Sequence, residues 1–397
     1  MKWREYINLA GFEVLVQPAI ITPHVVGVVA AVLIGSAGVT PGAAAGAATR
    51  SPVSDPVSAS ALRASTPCGV WVVRNALESP AAWRRALEAV VRAGCDRIYL
   101  QVSGRWDAWF PSAVFPPPER DPRAPGWEDP AGRAIADAHA RGIEVHAWVN
   151  ALLAWSSPEP PADPAHVFRA RPSWFVSDAR GRSIRSLDRA ALDRAGLVGE
   201  GWFLDPARVE VRTELRRFIL ELALRYPVDG IHLDYIRYPS GWAPPGGEAA
   251  VAALVALIRG DLDAVRRDAI LSAAVLPLPG EARRSFGQAW DTWLEAGIVD
   301  EVLPMVYRGS AAAIVSAVRG WPASIPRERV RVGVRLDRIA PAEYRAAARR
   351  LDDLGLAGTA LFSHNLLLES AVWRRAGSLD VSSGERRPLC GSGCAGR

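Results

Sequence analysis

The sequence predicts a single-domain α/β fold, a (β/α)8 barrel. Three observations carry this. Eight short β-type runs alternate with helical stretches through the body of the chain. The connections are long enough for parallel crossovers, which give a parallel sheet with helices outside it. No GxGxxG follows the first run, so an open dinucleotide-binding sheet lacks its signature. Barrels of this kind use about 250 residues as one domain, and the 397 residues here leave room for flanking segments.

The first predicted strand is 69–74 (GVWVVR), and the helix after it puts Trp83, Leu87, Val90 and Val91 on one face. Residues 97–102 (RIYLQV) form the second strand; a Trp- and Pro-rich loop and a helix over 131–141 lead to the third, 143–149. A long connection ends at Asp205 and Pro206, which read as N-cap and first helical residue. The helix they open shows Val211, Leu215, Phe218, Ile219, Leu222 and Tyr226 on one stripe. Strands four and five are 230–234 and 270–275, and one helix carrying Phe286, Trp290, Trp293 and Leu294 follows. Strands over 299–306, 330–335 and 359–362 complete the set, with the last helix ending near Ala376.

Composition narrows the function. The chain is 49% apolar and 22% charged, which suits a folded core rather than disorder. Its net charge of +5 rests on 47 basic against 42 acidic residues, and Lys2 is the only lysine. No basic run interleaved with aromatics appears, which argues against nucleic acid as a partner. Fifteen tryptophans favour a ligand with flat apolar faces, such as a sugar.

The N-terminus reads as an export signal. No Asp, Glu, Lys or Arg lies between Glu13 and Arg50, and Val25 to Ile34 form an apolar core followed by small residues ending at Ala45 or Ala47. An uncleaved membrane anchor is the alternative. The expected organisation is signal or anchor over 1–47, a Ser/Pro/Ala-rich linker over 48–66, the barrel over 67–380 and a tail over 381–397 with CGSGC. Four cysteines suit an exported chain. Cys68 and Cys95 fall at the same end of the first βα unit, where a bridge is geometrically reasonable, and Cys390 and Cys394 could close a small ring. A buried free thiol at Cys95 is the other reading.

Chemistry in such a barrel belongs at the C-terminal strand ends. His232 and Asp234 end strand four two residues apart, with Arg237 and Tyr238 just beyond. Strand three ends in His146, Trp148 and Asn150. Strand two runs into Ser103, Arg105, Trp106, Asp107 and Trp109; Met305 and Tyr307 end strand six, and Ser363 and His364 follow strand eight. Aromatic, amide, guanidinium and carboxylate groups in this mixture suit a polyhydroxylated ligand.

Six segments then carry a resemblance: GVWV near the start, QVSGRWDAWFPS (101–112), RGIEVHAWVN (141–150), FLDPARVEVR (203–212), VDGIHLDYIRYP (228–239) and VDEVLPMVY (299–307). In this order they resemble glycosyl hydrolase-like family 10 over nearly all of residues 68–375. The resemblance implies an exported or membrane-anchored (β/α)8 glycoside hydrolase acting on bacterial cell-wall or amino-sugar polysaccharides, including peptide-free peptidoglycan glycan. Asp234 is the expected acid or nucleophile, with Glu281 and Asp107 competing to be the second carboxylate. Arg105, His146, Trp148, Asn150, His232, Arg237, Tyr238 and Tyr307 are the expected substrate contacts. No cofactor and no metal are expected. A non-catalytic carbohydrate-binding barrel, or a metal-dependent hydrolase or deacetylase using His146, His232 and Asp234, are the alternatives.

Overall fold

The structure is a computed structural model that describes residues 67–379 except 198, 199 and 378. The expected signal or anchor, linker and tail, and the ring that Cys390 and Cys394 could close, lie outside the described residues. Eight parallel strands form one sheet: β1 Cys68–Val72, β2 Arg97–Ser103, β3 Glu144–Asn150, β4 Gly230–Asp234, β5 Ile270–Val275, β6 Glu301–Pro304, β7 Arg331–Arg335 and β8 Gly358–Phe362. Neighbours run β6-β5-β4-β3-β2-β1-β8-β7. Bridges Val302–Val330 and Met305–Gly333 bring β6 against β7 and close the ring. The predicted barrel is the observed one.

Helix α1 (Pro80–Ala93) shows how the local sequence sets the elements. The Ser79 hydroxyl caps the Ala82 N–H, Pro80 takes the first helical position, and Gly94 ends the helix at φ 73°. Trp83, Leu87 and Val90 are buried as expected, but Val91 is 45% exposed. It sits 100° round from Val90, and Ala86 and Ala93 complete the buried stripe on the other side. After α2 (Pro130–His139), the connection from β3 makes an antiparallel ribbon of Leu153–Trp155 with Trp202–Phe203. That ribbon displaces the next helix. Leu204 and Asp205 donate their N–H groups to Leu152 and Trp174, so α3 (Val209–Arg225) begins three residues beyond the expected Pro206. Asp205 is not its cap; the carboxylate accepts the Ala207 N–H in the preceding turn. Beyond α4 (Gly247–Val265), the single helix expected after β5 is two, α5 (Pro279–Phe286) and α6 (Trp290–Glu295), because Gly287 turns the chain at φ 64°.

The barrel interior is layered. At the bottom, Arg97 on β2 reaches Glu301 on β6 at 2.8 Å, and Arg331 on β7 meets the same carboxylate at 2.5 Å. β6 is not a neighbour of β2, so the Arg97–Glu301 pair crosses the lumen, while Arg331 reaches the same carboxylate from the adjacent strand. The middle layer is aromatic: Trp71, Tyr99, His146 and His232, with Ser272 between the imidazoles. Glycines make the room. A Cβ at Gly230 would lie 2.8 Å from the His146 ring and 2.6 Å from the Ile270 carbonyl, and one at Gly69 would lie 2.7 Å from the Tyr99 ring. Cys68 and Cys95 form the disulfide judged reasonable from sequence, with Cα atoms 4.8 Å apart at the foot of β1. Among the described residues, no helix is long and apolar enough to cross a membrane.

Candidate active site

The register of β3 on β4 pairs His146 with Gly230, Trp148 with His232 and Asn150 with Asp234. Strand parity therefore does bring these side chains to one face, but at different heights. His146 and His232 are fully buried in the middle layer. His232 accepts the Trp71 indole N–H at 2.9 Å on Nε2 and meets Ser272 Oγ at 3.0 Å through Nδ1. Burial pushes its pKa down to about 3, and burial likewise drives His146 well below the ordinary imidazole value. Both are core residues out of reach of a ligand at the mouth, which corrects the expectation that they touch substrate. With both His232 nitrogens engaged, the metal-binding alternative loses a donor. Among the described residues, no cluster of His, Cys, Asp or Glu has a metal-holding arrangement.

Two residues further up β4 the surroundings change. Asp234 is half-buried at the barrel mouth. Its Oδ1 accepts the Tyr235 N–H at 2.7 Å, and its carbonyl accepts the Ala151 N–H at 2.7 Å. Burial pushes the carboxyl up to about 6, against the lowering effects of the Tyr235 N–H, the Arg237 guanidinium and the Trp148 indole. Tyr235 holds this geometry with φ at 51°, a left-handed backbone that a tyrosine adopts at a cost of about 1–2 kcal/mol. Such outliers cluster at functional sites. Tyr235, Tyr307, Arg74 and Phe362 are half-buried around the same end of the barrel, with the Tyr307 and Phe362 rings 6.0 Å apart.

Behind Asp234 lies an amide relay. Asn150 Oδ1 accepts from the Trp148 indole at 2.9 Å and from Gln101 at 3.4 Å, while its Nδ2 donates to Gly104 O at 2.9 Å. Gln101 in turn accepts from the Arg74 guanidinium at 3.0 Å. Trp148 and Asn150 are buried, so they fix the walls of the mouth.

The remaining expected residues divide. Arg105 is half-buried over the Trp155 ring, donating to Ser156 Oγ at 3.1 Å, and burial lowers its pKa to about 10. Arg237 is buried, paired with Glu200 at 3.0 Å and flanked by the rings of Phe203, Tyr235 and Phe286. It braces Tyr235 rather than facing a ligand. Tyr238 is 1% exposed and donates to Asp205, so it too is a packing residue. Asp107 is buried, its Oδ1 receiving the N–H groups of Gly104 and Arg105 at 2.8 and 3.0 Å. That commits it to shaping the turn after β2. Glu281 stands half-buried in the first turn of α5, which follows β5, the neighbour of β4. Trp106 and Trp109 are buried in the β2–α2 loop. His364 is buried and accepts the Val73 N–H at 3.2 Å.

Sequence reading missed Tyr235, Arg74, Gln101 and Phe362. Tyr235 directly follows Asp234, and Gln101 and Phe362 lie on their strands with the parity of the mouth; Arg74, two residues past β1 in a 3-10 turn, carried no such signal.

Residues 69–244 match the family model described as Glycosyl hydrolase-like 10. Over those residues the resemblance read from the sequence is borne out. To Glycosyl hydrolase DigH of Escherichia coli O6:H1 the chain is 23% identical over 300 residues, covering 62% of this chain and 64% of that protein. To Glycosyl hydrolase YngK of Bacillus subtilis it is 24% identical over 161 residues, covering 39% and 28% respectively. The chain thus spans less than two thirds of either relative. Among solved structures, the PgaB (BpsB) glycoside hydrolase domain from Bordetella bronchiseptica superposes with a TM-score of 0.58 at 14% identity, over 81% of this chain and 99% of that one. That likeness concerns the fold, and it is the same barrel.

Proposed function

We propose that the chain is an exported glycoside hydrolase of a bacterial cell-wall or amino-sugar polysaccharide, with Asp234 as its general acid. The observation that carries this is Asp234 itself, a carboxyl half-open at the barrel mouth whose pKa is pushed up to about 6. A carboxyl so placed keeps about a tenth of its protons at pH 7 and can deliver one to a departing glycosidic oxygen. The family match and the names of the relatives support the reaction class. Tyr235, Tyr307 and Phe362 offer ring faces against which sugars stack.

Glu281 is the better second carboxylate. Asp107 spends an oxygen on two backbone N–H groups, whereas Glu281 makes no hydrogen bond or ion pair among the described residues. It would act as nucleophile or as base towards water, according to its separation from Asp234. Export is supported by the leader pattern and by the Cys68–Cys95 bridge, a bond at home in oxidising compartments.

The test is a digest of peptide-free peptidoglycan glycan and of β-1,4- and β-1,6-linked N-acetylglucosamine polymers, with products read by mass spectrometry. Wild type, Asp234→Asn and Glu281→Gln run side by side. Products from wild type alone are expected; equal products from Asp234→Asn would remove that residue from the chemistry. Ligand retention without products from any of the three would mean a binding barrel.

A further inference from the structure

Beside the mouth, a groove of about 480 Å³ runs between the β2–α2 loop, residues 165–174 of the long connection and the first turns of α3. One wall is aromatic, with Trp174 half-buried at the surface and Trp106 and Phe115 buried beside it. Trp106 stacks on Phe115 at 4.7 Å and meets Trp174 edge-on at 6.4 Å. Phe115 is itself stacked on Phe218 at 4.0 Å, so the wall is held rigid from behind.

The facing wall is polar. Glu210, Thr213, Glu214 and Arg217 line the groove at helical spacing, on one side of α3. Arg217 pairs with Glu214 at 2.8 Å, and Arg171 lies 5.6 Å over the Trp174 ring. Two arginines and two glutamates leave the lining with no net charge.

An indole wall opposite a neutral rim of carboxylate, hydroxyl and guanidinium groups matches one ligand chemistry well. A sugar presents an apolar C–H face to an aromatic ring and a fringe of hydroxyls that donate to carboxylates and accept from arginine. A polyanion would meet Glu210 and Glu214, and a hydrocarbon would strand the whole polar wall without partners. The volume lies within the range of small-molecule sites. The groove is also coupled to the mouth: the Trp106 indole donates to Ala151 O at 2.9 Å, the residue after Asn150.

We propose that this groove is an accessory glycan-binding site, holding a neutral stretch of the same polysaccharide whose scissile bond lies at Asp234. The inference rests on the hydrolase reading above. Two contacts on one chain raise its affinity through effective concentration without adding chemistry.

The experiment uses the full protein carrying Asp234→Asn as a trap, with immobilised β-1,4- and β-1,6-linked N-acetylglucosamine polymers as probes. Val209, 61% exposed at the groove's edge, is replaced by Trp to fill the groove from a position that supports no packing. A Trp174→Ala variant removes the aromatic wall. Polymer affinity should fall about tenfold in Val209→Trp, with the unfolding midpoint unmoved. A folded Val209→Trp variant that binds like its parent overturns the site, whether or not Trp174→Ala folds. The wild-type digest separates the two readings. Products together with unchanged Val209→Trp binding would sink the groove and leave the hydrolase. No products, with binding that Val209→Trp abolishes, would sink the hydrolase and leave the groove.

Discussion

His232 and Asp234 stand two residues apart on β4, on the same face, about 7 Å along the strand. One is a closed core residue and the other a half-open group at the mouth. Removal from water acts on both and favours the neutral form of each, so the histidine goes down to about 3 and the aspartate up to about 6. The difference lies in partners. The imidazole's nitrogens are spent on Trp71 and Ser272 in a closed core, while the carboxyl, held by the Tyr235 N–H with the Trp148 indole beside it, stays half-open at the mouth. The same physical force makes one residue inert and the other poised.

The comparison breaks most sharply at turnover. Asp234→Asn should lower the rate by about 10²- to 10⁴-fold in initial-rate assays. In wild type, kcat/KM should decline as pH rises through about 6, because the acid form is lost there. A pH profile flat across that window would separate the shifted carboxyl from the reaction. Next in size, Gly230→Ala would drive a methyl into the His146 ring and the Ile270 carbonyl. Urea denaturation should show a loss of about 1–3 kcal/mol.

His232→Leu strands the Trp71 indole and should lose about 1–3 kcal/mol. It also sharpens the pH argument. With the folded histidine near 3 and the unfolded one near its ordinary 6.5, the unfolded state binds the extra proton. Wild-type stability should therefore fall as pH drops from about 6.5 towards 3, and His232→Leu should flatten that slope in denaturation series. Asp234 has the opposite sign. Its raised folded value means stability is present below about 3.8 and lost as pH rises through about 6. Asp234→Asn should be about 1–2 kcal/mol more stable than wild type at pH 8, since the neutral amide is spared that loss. A variant no more stable at pH 8 than at pH 4, relative to wild type, would contradict the raised carboxyl.

Strands β4 and β5 were legible to the residue, because each is a short apolar run bounded by turn residues. The helix after β5 was not: the apolar stripe of Phe286, Trp290 and Trp293 hides the turn at Gly287. Asp205-Pro206 carried a start signal that the ribbon overrode by claiming the backbone for strand pairing. For the site, parity revealed which side chains share a face but not their depth, since depth depends on how the strands stagger round the ring. Parity alone therefore places His146 and His232 among the ligand contacts, where burial excludes them. Asp107 was ambiguous for another reason: a loop carboxylate looks the same in sequence whether it faces solvent or two backbone N–H groups.

The disulfide at the foot of β1 has a mechanical meaning. The described chain enters at Pro67, and the next residue is Cys68, bonded to Cys95 just past the end of α1. A pull arriving from the preceding segment meets the Thr359 N–H bond to Pro67 O and then that covalent bond, before the rest of the β1 ladder. The load is passed into the α1–β2 junction, and the strand that closes the ring between β2 and β8 is spared the tension. On the proposed arrangement of a barrel behind a Ser/Pro/Ala-rich linker, the bridge is a strain relief: the linker can be tugged without unzipping the barrel.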